Sequence, residues 1–413
     1  MSFASLCLCD ELLQAIAEQG YTTPTAIQLE AIPAVLSGRD VMAAAHTGTG
    51  KTASFTLPMV QRLSGGARPQ SLQVRALVIT PTRELAAQVT ESVQNYSCHL
   101  NIRCAAVFGG VRIEPQIAEL QAGLDVLVGT PGRLLDLYNQ GAINFDQLEI
   151  LVLDEADRML DMGFIDDIRH IQRLLPEKRQ TLMFSATFSE AVKSLAEGMF
   201  NNPFLIEVAA ANTTAASIKQ VIHPVDKDRK SELLIELIKR NKWHQVLVFS
   251  RTKRGADSLV SELEKVGIRA ASIHADRSQH ARTEALENFR NGKVVALVAT
   301  DIAARGIDVS QLPCVVNFDL PYVAEDYVHR IGRTGRAGTF GLAVSLVSED
   351  EYKQLKSIEE FIGMQFERKI LRGFMPTEKA PASVFDDSEY GSFEPNAKPK
   401  HHRRGRGKSK RRR

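Results

Sequence analysis

Residues 41–52 read VMAAAHTGTGKT, a short apolar run followed by a glycine-rich loop that ends in Gly-Lys-Thr. A strand that leads through such a loop into a helix is typical of a phosphate-binding loop. Its glycines would let backbone N–H groups approach phosphate oxygens, Lys51 would reach the outer phosphates, and Thr52 would bind Mg²⁺. The usual pattern begins with Gly where Ala45 stands, and chance matches to Gly-Lys-Thr are common. The loop therefore needs support from a second motif.

The motif ILVLDEAD at residues 150–157 supplies that support. Its apolar residues predict a buried strand, and Asp154 and Glu155 follow at the carboxyl end, where ligands bind in open α/β sheets. There Asp154 can hold Mg²⁺ through water, and Glu155 can orient or deprotonate an attacking water molecule. An acidic cluster that caps the next helix is the alternative interpretation. The two motifs together favour a P-loop enzyme.

Short apolar runs recur along the chain between stretches of helical character. In the first half they begin at residues 76, 125, 150 and 181, and in the second half at residues 245, 269, 294, 314 and 341. Such runs predict parallel strands that are buried on both faces. We therefore predict an α/β protein with two parallel sheets and helical crossovers.

The chain divides at a small, polar stretch. Residues 208–219 have no pattern that would bury a face, so they predict a linker between an N-terminal domain at 1–207 and a C-terminal domain at 220–374. Residues 375–413 are rich in Pro, Ser, Gly and charge and are expected to be disordered. From 398 onward this tail holds ten Lys or Arg and no acidic residue. Attraction to polyanions is the favoured interpretation, and a merely solvated tail is the alternative.

The composition excludes several classes of protein. Of the 413 residues, 44% are hydrophobic and 24% are charged, as in globular proteins and unlike disordered chains. Without the basic tail, 41 basic and 49 acidic residues give the remaining chain a net charge of −8. No apolar run is long enough to span a membrane, and no secretory signal is visible. The five cysteines form no C-x-x-C pair, so we expect reduced thiols, no zinc site and a cytoplasmic protein.

With AHTGTGKT at 45–52, DEAD at 154–157 and SAT at 185–187, the sequence resembles the DEAD-box RNA helicases. The resemblance extends from Phe3 to about Phe374. Its further motifs are YTTPTAIQ at 21–28, PTRELAAQ at 81–88, GG at 109–110, TPGRL at 130–134, VFSRTK at 248–253, SQHAR at 278–282, ATDIAARGID at 299–308 and HRIGRTGR at 329–336. It implies two tandem RecA-like domains, ATP and Mg²⁺ as ligands, and RNA as the substrate.

The resemblance also implies roles for single residues at the ATP site. Tyr21 would stack on the adenine base, Gln28 would hydrogen-bond its edge, and Asp308 would contact the ribose. Arg333 and Arg336 would act as arginine fingers from the second domain, which makes hydrolysis depend on domain closure. A basic patch for RNA phosphates is the alternative interpretation of these arginines. The residues implied to bind ATP are Phe3, Tyr21, Thr23, Gln28, Thr47, Gly48, Thr49, Gly50, Lys51, Thr52, Asp308, Arg333 and Arg336. Those implied to be catalytic are Lys51, Glu155, Arg333 and Arg336, and those implied to hold Mg²⁺ are Thr52 and Asp154.

RNA contacts are implied in both domains. The residues concerned are Pro81, Thr82, Arg83, Gly109, Gly110, Thr130, Pro131, Gly132, Arg133, Arg251, Gln279, Arg282, Thr300 and Asp301. Contacts to the nucleic-acid backbone carry no sequence preference. RNA is favoured over DNA by the resemblance alone, since contacts to 2′-hydroxyls cannot be inferred from spacing. The residues implied to couple the two domains are Asp157, Ser185, Thr187 and His329.

The resulting hypothesis is an ATP-dependent RNA helicase that closes two domains over ATP and RNA. It would unwind short duplexes or remodel RNA–protein complexes, and it would reopen after hydrolysis. The alternatives are an ATP-switched RNA clamp and a DNA helicase. Ribosomal precursors and RNA-decay assemblies are the expected partners, and a monomer is favoured.

Within the family, LDLYNQ at 135–140, LDEADRMLDMGF at 153–164 and the basic tail resemble the bacterial RhlE-type subgroup. Two positions depart from the family pattern. His46 stands where Gln is usual, and Ala275 stands where Gly is usual. His46 would change the contact normally made by that Gln and could make it depend on pH near neutrality. Loss of activity is not expected.

Overall fold

A computed structural model describes residues 2–45, 49–208, 218–304, 312–335, 341–377 and 384–386. Two α/β domains with parallel sheets follow one another along the chain, which confirms the predicted fold class. The helices of the first domain are α1 (Asp10–Glu18), α2 (Ala26–Leu36), α3 (Lys51–Ser64), α4 (Arg83–Tyr96), α5 (Glu114–Leu120), α6 (Pro131–Asn139), α7 (Ala156–Asp161), α8 (Ile165–Leu174) and α9 (Glu190–Ala196). Its strands are β1 (Val41–Ala44), β2 (Val74–Ile79), β3 (Cys104–Val107), β4 (Leu124–Gly129), β5 (Ile150–Asp154), β6 (Gln180–Ser185) and β7 (Phe204–Glu207).

The second domain repeats this design. Its strands are β8 (Ile218–Pro224), β9 (Val246–Phe249), β10 (Ala270–Ile273), β11 (Ala296–Ala299), β12 (Cys314–Asn317), β13 (Gly341–Val347), β14 (Glu367–Leu371) and β15 (Val384–Asp386). Its helices are α10 (Lys230–Arg240), α11 (Lys253–Lys265), α12 (Gln279–Arg290), α13 (Asp301–Ala304), α14 (Ala324–Ile331) and α15 (Tyr352–Ile362).

Both sheets are covered on two faces. The strand order is β3-β4-β2-β5-β6-β1-β7 in the first sheet and β10-β11-β9-β12-β13-β8-β14-β15 in the second. Along β2, Ala76 and Val78 pack into one hydrophobic cluster, whereas Leu77 and Ile79 pack into the other. Alternate side chains of a strand point to opposite faces, so a strand between two helical layers must be apolar throughout. This is why the strands appear in the sequence as continuous apolar runs.

The domain limits can be compared with the described elements. β8 begins at Ile218, two residues before the predicted start of the second domain. Residues 209–217 of the predicted linker lie outside the described residues. In the predicted disordered tail, Val384–Asp386 forms a short strand parallel to β14. None of the helices in the described part of the chain combines the length and apolar character needed to cross a membrane.

The topology brings the predicted motifs to one edge of each sheet. All strand pairs are parallel, so the carboxyl ends of β1, β5 and β6 lie side by side. The register pairs Ala44 with Ser185 and Asp154 with Phe184. The phosphate-binding loop, the DEAD motif and the SAT motif therefore leave the sheet at the same edge, where ligands bind in open α/β sheets.

Candidate functional site

The end of the phosphate-binding loop is packed against the first of the predicted ATP motifs. Gly50 is in the left-handed region with φ 88° and precedes α3. A Cβ atom at this position would lie 2.4 Å from Nε2 of Gln28, so both the backbone conformation and the space favour glycine. Gln28 Nε2 donates a hydrogen bond of 3.3 Å to the Gly50 carbonyl, and its Oε1 accepts one of 2.9 Å from the Thr25 N–H. Gln28 thus ties α2 to the loop.

Lys51 and Asp154 place opposite charges inside the first domain. Lys51 is 7% exposed, and its Nζ has no hydrogen-bond partner among the described residues. Asp154 is 2% exposed and accepts a hydrogen bond of 3.0 Å from the Glu155 N–H. Burial raises the pKa of Asp154 to about 7, while Lys51 acts in the opposite direction. The site therefore offers a buried ammonium and a buried carboxylate that external ligands can satisfy.

Glu155 leaves the sheet in a strained conformation. Its φ of 53° and ψ of 52° lie in the left-handed region, which non-glycine residues rarely adopt. The residue stands between the end of β5 and the start of α7, and its side chain is only partly buried. Strain of this kind persists where surrounding structure imposes it and clusters at functional sites. The conformation presents Glu155 at the carboxyl edge, next to Asp154.

The predicted Mg²⁺ ligands fit a hard cation. Asp154 supplies a buried carboxylate whose pKa is raised by burial, so a positive charge beside it would relieve the cost of ionisation. Thr52 is the second residue of α3, adjacent to Lys51 at the same helix N-terminus. A hydroxyl and a carboxylate are the oxygen donors that Mg²⁺ prefers. The donor set is compatible with the ion that the sequence predicts.

The remaining residues predicted to bind ATP differ in exposure. Phe3 is buried in the core of the first domain, whereas Thr23 is exposed and Tyr21 is 55% exposed. The exposed ring of Tyr21 leaves space for the predicted stacking on adenine, which stays a prediction. Thr49 lies beside Gly50 and is partly buried. Thr47, Gly48, Asp308, Arg336 and the unusual His46 lie outside the described residues.

The residues predicted to couple the domains are buried or partly buried, and one of them lines a cavity between the domains. In the described part of the chain, Asp157 Oδ1 and Ser185 Oγ are buried without a hydrogen-bond partner. Thr187 follows β6 and is partly buried. His329 and Arg333 of the second domain line a small cavity together with Arg158 of the first domain. The structure thus brings the residue after the DEAD motif close to His329, predicted to couple the domains, and to Arg333, predicted to bind ATP.

A group of arginines marks the predicted RNA surface of the first domain. Arg83 lies over Gly110, where a Cβ atom would come within 2.2 Å of the guanidinium group. Gly110 has φ 75°, so glycine is favoured by conformation as well as by space. Arg133 donates a hydrogen bond of 3.0 Å to the Val111 carbonyl, next to Gly110. Burial and the neighbouring charge of Arg282 lower the pKa of Arg83. This surface is suited to a polyanion.

Two helix N-termini complete this surface. Thr82 caps α4, and its side chain accepts a hydrogen bond of 3.2 Å from the Leu85 N–H. Thr130 precedes α6, which begins with Pro131 and the exposed Gly132. Such termini offer N–H groups to phosphates. The other predicted residues are the buried Pro81 and the partly buried Gly109.

Contacts across the cleft join α4 to α12. Glu84 accepts a charged hydrogen bond of 2.7 Å from Arg282 and one of 3.3 Å from Gln279 Nε2. Arg83 donates one of 3.3 Å to Gln279 Oε1. Three residues predicted to bind RNA therefore meet at the boundary between the domains. Glu84 was not predicted, because a buried acid that pairs across domains leaves no local pattern.

A second ion pair crosses the cleft beside the DEAD motif. Arg158 Nη1 lies 2.6 Å from Asp326 Oδ1, and the side chains are 6% and 15% exposed. Arg158 also pairs with Asp161 in its own helix at 3.1 Å. Asp326 raises the pKa of Arg158, in opposition to burial, which lowers it. No local pattern in the sequence indicates this pair, since its partners are 168 residues apart.

Three other predicted RNA-binding residues have partners inside the second domain. Asp301 is paired in bidentate fashion with Arg330, at 2.6 and 2.7 Å. Arg251 donates hydrogen bonds to the Glu351 carboxylate at 2.9 Å and the Leu320 carbonyl at 3.1 Å. Thr300 is buried, and its carbonyl accepts from the backbone N–H groups of α13. These contacts fix the loops that follow β9, β11 and β12.

The raised pKa of Asp154 leads to a prediction about stability. The folded state keeps its proton up to a pH of about 7, whereas the unfolded state loses it near the ordinary value of 3.8. The folded state binds more protons in this window, so its stability falls as pH rises. Asp154→Asn removes the buried charge and should raise the free energy of unfolding by up to about 4 kcal/mol at a pH of about 8. Urea denaturation without nucleotide measures this.

The gain should shrink as pH falls from about 8 to about 5, since the native carboxyl is then protonated. Asp146→Asn, at an exposed position of the same domain, provides the matched control. A stability gain that is absent, or that does not change with pH, would contradict an uncompensated charge at Asp154.

Comparisons with known proteins agree with this geometry. The family model described as DEAD/DEAH box helicase matches residues 25–195, and the model described as helicase conserved C-terminal domain matches residues 229–338. The chain is 42% identical over 383 residues to the ATP-dependent RNA helicase RhlB of Pseudomonas syringae pv. tomato, covering 91% of this chain and 96% of RhlB. It is 42% identical over 367 residues to the DEAD-box ATP-dependent RNA helicase CshA of Geobacillus kaustophilus, covering 89% of this chain and 78% of CshA. These names do not confirm the RhlE-type subgroup.

A solved structure of Dbp5 from S. cerevisiae, bound to RNA and ADP BeF3, is also similar. It matches with a TM-score of 0.81 and 33% identity, over 91% of this chain and 96% of Dbp5. The tandem RecA-like architecture is thereby confirmed. The chain belongs to the DEAD-box family of ATP-dependent RNA helicases, which are RNA-dependent ATPases.

Proposed function

We propose that this helicase binds RNA without sequence preference and separates short duplexes, or remodels RNA–protein complexes, by closing the cleft between its domains. The observation that carries this proposal is the pair of ionic contacts across the cleft. Arg282 meets Glu84 at 2.7 Å, and Asp326 meets Arg158 at 2.6 Å. One contact lies beside the predicted RNA surface, and the other lies beside the DEAD motif. Closure would therefore depend on both RNA and ATP.

The ATP side of this proposal depends on groups at the carboxyl edge of the first sheet and on arginines of the second domain. Lys51 would receive the outer phosphates and Glu155 would orient the attacking water molecule, while Thr52 and Asp154 would hold Mg²⁺. The ion would neutralise charge on the phosphates when bound. Tyr21 and Gln28 would recognise the base, and Arg333, with Arg336, would reach the phosphates from the second domain. Hydrolysis would then require a closed cleft.

The RNA side depends on convergent positive charge. Arg83, Arg133 and Arg282 lie close enough that Arg133 and Arg282 both lower the pKa of Arg83. A phosphate placed among them would replace repulsion with attraction. The helix N-termini at Thr82 and Thr130 would add backbone donors, and Thr300 and Asp301 would extend the path across the second domain. Contacts of this type fix a strand by its backbone and not by its bases.

The first prediction from the proposed function concerns nucleic-acid specificity. Single-stranded RNA should stimulate ATP hydrolysis strongly, and DNA of the same sequence should not, because the proposed substrate is RNA. Glu155→Gln should lower the RNA-stimulated kcat by roughly 10²-fold or more, since it removes the group that orients water. Phosphate release under saturating ATP measures both effects. Glu190→Gln, at an exposed position of the first domain, is the matched control.

Equal stimulation by DNA would favour the DNA-helicase alternative. Tight, ATP-dependent RNA binding with little strand release from a short duplex would favour the RNA clamp. Hydrolysis that ignores nucleic acid would overturn the proposal.

The second prediction tests closure at the pair formed by Arg158 and Asp326. Asp326→Ala leaves the buried Arg158 without its closer partner, and loss of one member of a buried pair is costly. We expect the RNA-stimulated kcat to fall roughly tenfold or more, with little change in the rate without RNA, since only the closed form uses the contact. Asp350→Ala breaks an exposed ion pair with Lys227 inside the second domain and should have no such effect.

The charge reversal that combines Arg158→Asp with Asp326→Arg should recover part of the stimulated rate. An unchanged rate in Asp326→Ala would remove this contact from the closure model.

The third prediction concerns the basic tail, residues 398–413. We propose that it adds non-specific RNA affinity. Each single-strand phosphate that it neutralises contributes about −0.7 to the slope of log affinity against log salt. Deletion of 398–413 should weaken binding and flatten that slope, while the kcat at saturating RNA stays the same. A slope that does not change would indicate a solvated tail.

We further propose a cytoplasmic monomer of the RhlE-type subgroup that acts on ribosomal precursors or RNA-decay assemblies. The sequence features LDLYNQ at 135–140 and the basic tail support the subgroup, and a phylogeny of residues 3–374 tests it. Sequencing of RNA cross-linked to the protein in growing cells tests the partners. Light scattering of the purified protein tests the monomer.

A further inference from the structure

Three side chains from two distant segments meet on the surface of the first domain. Glu18 is the last residue of α1, and Cys98 and His99 follow the end of α4. His99 Nε2 lies 3.0 Å from both carboxylate oxygens of Glu18, and Cys98 Sγ lies 3.9 Å from its Oε2. One donor atom from each residue lies within 4.8 Å of the other two. None of these residues belongs to the ATP or RNA site.

The local structure holds the three groups in place. Gln14 donates a hydrogen bond of 3.0 Å to Glu18 Oε1 from one turn earlier in α1. The Leu100 N–H donates one of 2.8 Å to the Ser97 carbonyl, which closes a turn around Cys98 and His99. The carboxylate and the two consecutive ligands are therefore presented by separate, ordered elements. Their separation of about 80 residues in the sequence explains why the cysteine spacing did not indicate a metal site.

We propose that Glu18, Cys98 and His99 form a transition-metal site of the zinc type. Bonds of about 2.0 Å to oxygen and nitrogen and about 2.3 Å to sulfur, arranged tetrahedrally, place such donors roughly 3.3 to 3.6 Å apart. The observed separations of 3.0 and 3.9 Å bracket this range. Small rotations of the three exposed side chains would bring the donors to equal distances from one ion. Water would complete the coordination.

The donor chemistry selects the class of ion. A thiolate and an imidazole favour Zn²⁺ and similar ions over Mg²⁺ and Ca²⁺, which prefer oxygen. The carboxylate and the thiolate together balance the charge of a divalent ion. A simple ion pair between Glu18 and a protonated His99 accounts for the shorter distances but not for the position of Cys98, and an exposed pair of that kind contributes little to stability.

The bound ion would cross-link α1 to the end of α4. Glu18 lies three residues before Tyr21, whose hydroxyl interacts with that of Tyr96 in the last turn of α4. The metal would therefore fasten the segment from which Tyr21 projects. Stabilisation of the native state by a bound ligand follows from mass action, so added Zn²⁺ should raise the thermal midpoint of the chain.

The site can be tested on the full-length, reduced protein with Co²⁺ as a spectroscopic substitute for Zn²⁺. We expect a thiolate-to-cobalt charge-transfer band that saturates at one Co²⁺ per chain and disappears when Zn²⁺ is added. Cys98→Ser should abolish the band, and His99→Ala and Glu18→Gln should weaken Co²⁺ binding at least tenfold. The predicted Mg²⁺ ligands include no cysteine, so metal at the ATP site gives no such band.

Two controls separate this site from other donors in the chain. Cys7→Ser removes another exposed cysteine and should leave the band unchanged. The double change His401→Ser with His402→Ser removes the paired histidines of the tail and should also leave it unchanged. RNA-stimulated ATPase activity without added zinc shows that each variant is folded, and it does not depend on the proposed site.

The proposal is overturned if saturating Co²⁺ gives no thiolate band, or if the band survives in Cys98→Ser. It is also overturned if the band depends on Cys7 or on the tail histidines. In those cases Glu18 and His99 form only a surface ion pair. These outcomes are independent of the RNA and ATP experiments, so failure here leaves the proposed function intact.

Discussion

Two opposite charges buried at the carboxyl edge of the first sheet are the constraint on which the rest of the structure depends. Lys51 and Asp154 are 7% and 2% exposed, and burial of charge is unfavourable unless partners satisfy it. Each residue is fixed by a terminus of regular structure, since Asp154 ends β5 and Lys51 begins α3. The apolar clusters on both faces of the sheet offset this local cost. The two side chains are thus held in a fixed geometry before a nucleotide binds, and they need not reorganise when it does.

Glu155, the residue after Asp154, has a strained backbone and connects this buried site to the second domain through α7. A left-handed conformation at a non-glycine residue costs about 1 to 2 kcal/mol, and Glu155 adopts one at the junction of β5 and α7. The Arg158 N–H donates a hydrogen bond of 2.9 Å to the Glu155 carbonyl in the first turn of α7. The same Arg158 holds Asp326 across the cleft. One helical turn therefore connects the glutamate proposed to orient water with the contact proposed to form on closure.

Local chemistry explains which parts of this structure could be predicted from sequence. The nine apolar runs named from the sequence all correspond to strands, because a strand covered on both faces must be apolar along its whole length. The motifs were found because phosphate binding needs glycine, lysine and threonine at fixed spacing. β3 and β7 are short edge strands in which buried residues are interspersed with partly buried or exposed ones, so they gave a weaker signal. Pairs such as Glu84 with Arg282 were missed, since contacts between domains depend on how the sheets face each other and not on local spacing.

Some residues were assigned to a motif from the sequence, but their contacts with other elements could not be predicted. Gln28 was predicted to recognise a base, and the structure adds its contact with the Gly50 carbonyl, which would link the predicted base recognition to the phosphate loop. Asp301 was predicted to bind RNA, and the structure adds its bidentate pairing with Arg330. A motif specifies a residue by what it does for the ligand. Its second role, in holding a loop, becomes visible only when the neighbouring elements are in place.

The first turn of α4 suggests how RNA binding and closure are coupled. Arg83 and Glu84 are adjacent, but Arg282 attracts Glu84 and repels Arg83. Arg282 lies 2.7 Å from Glu84, and its charge also lies near Arg83, where it adds to the effect of burial in lowering the pKa of that guanidinium. In the proposed closing movement, this attraction and this repulsion would therefore grow together. A phosphate of RNA between the arginines would remove the repulsion and leave the attraction, so we infer that RNA shifts the equilibrium towards the closed form by its differential affinity for that form.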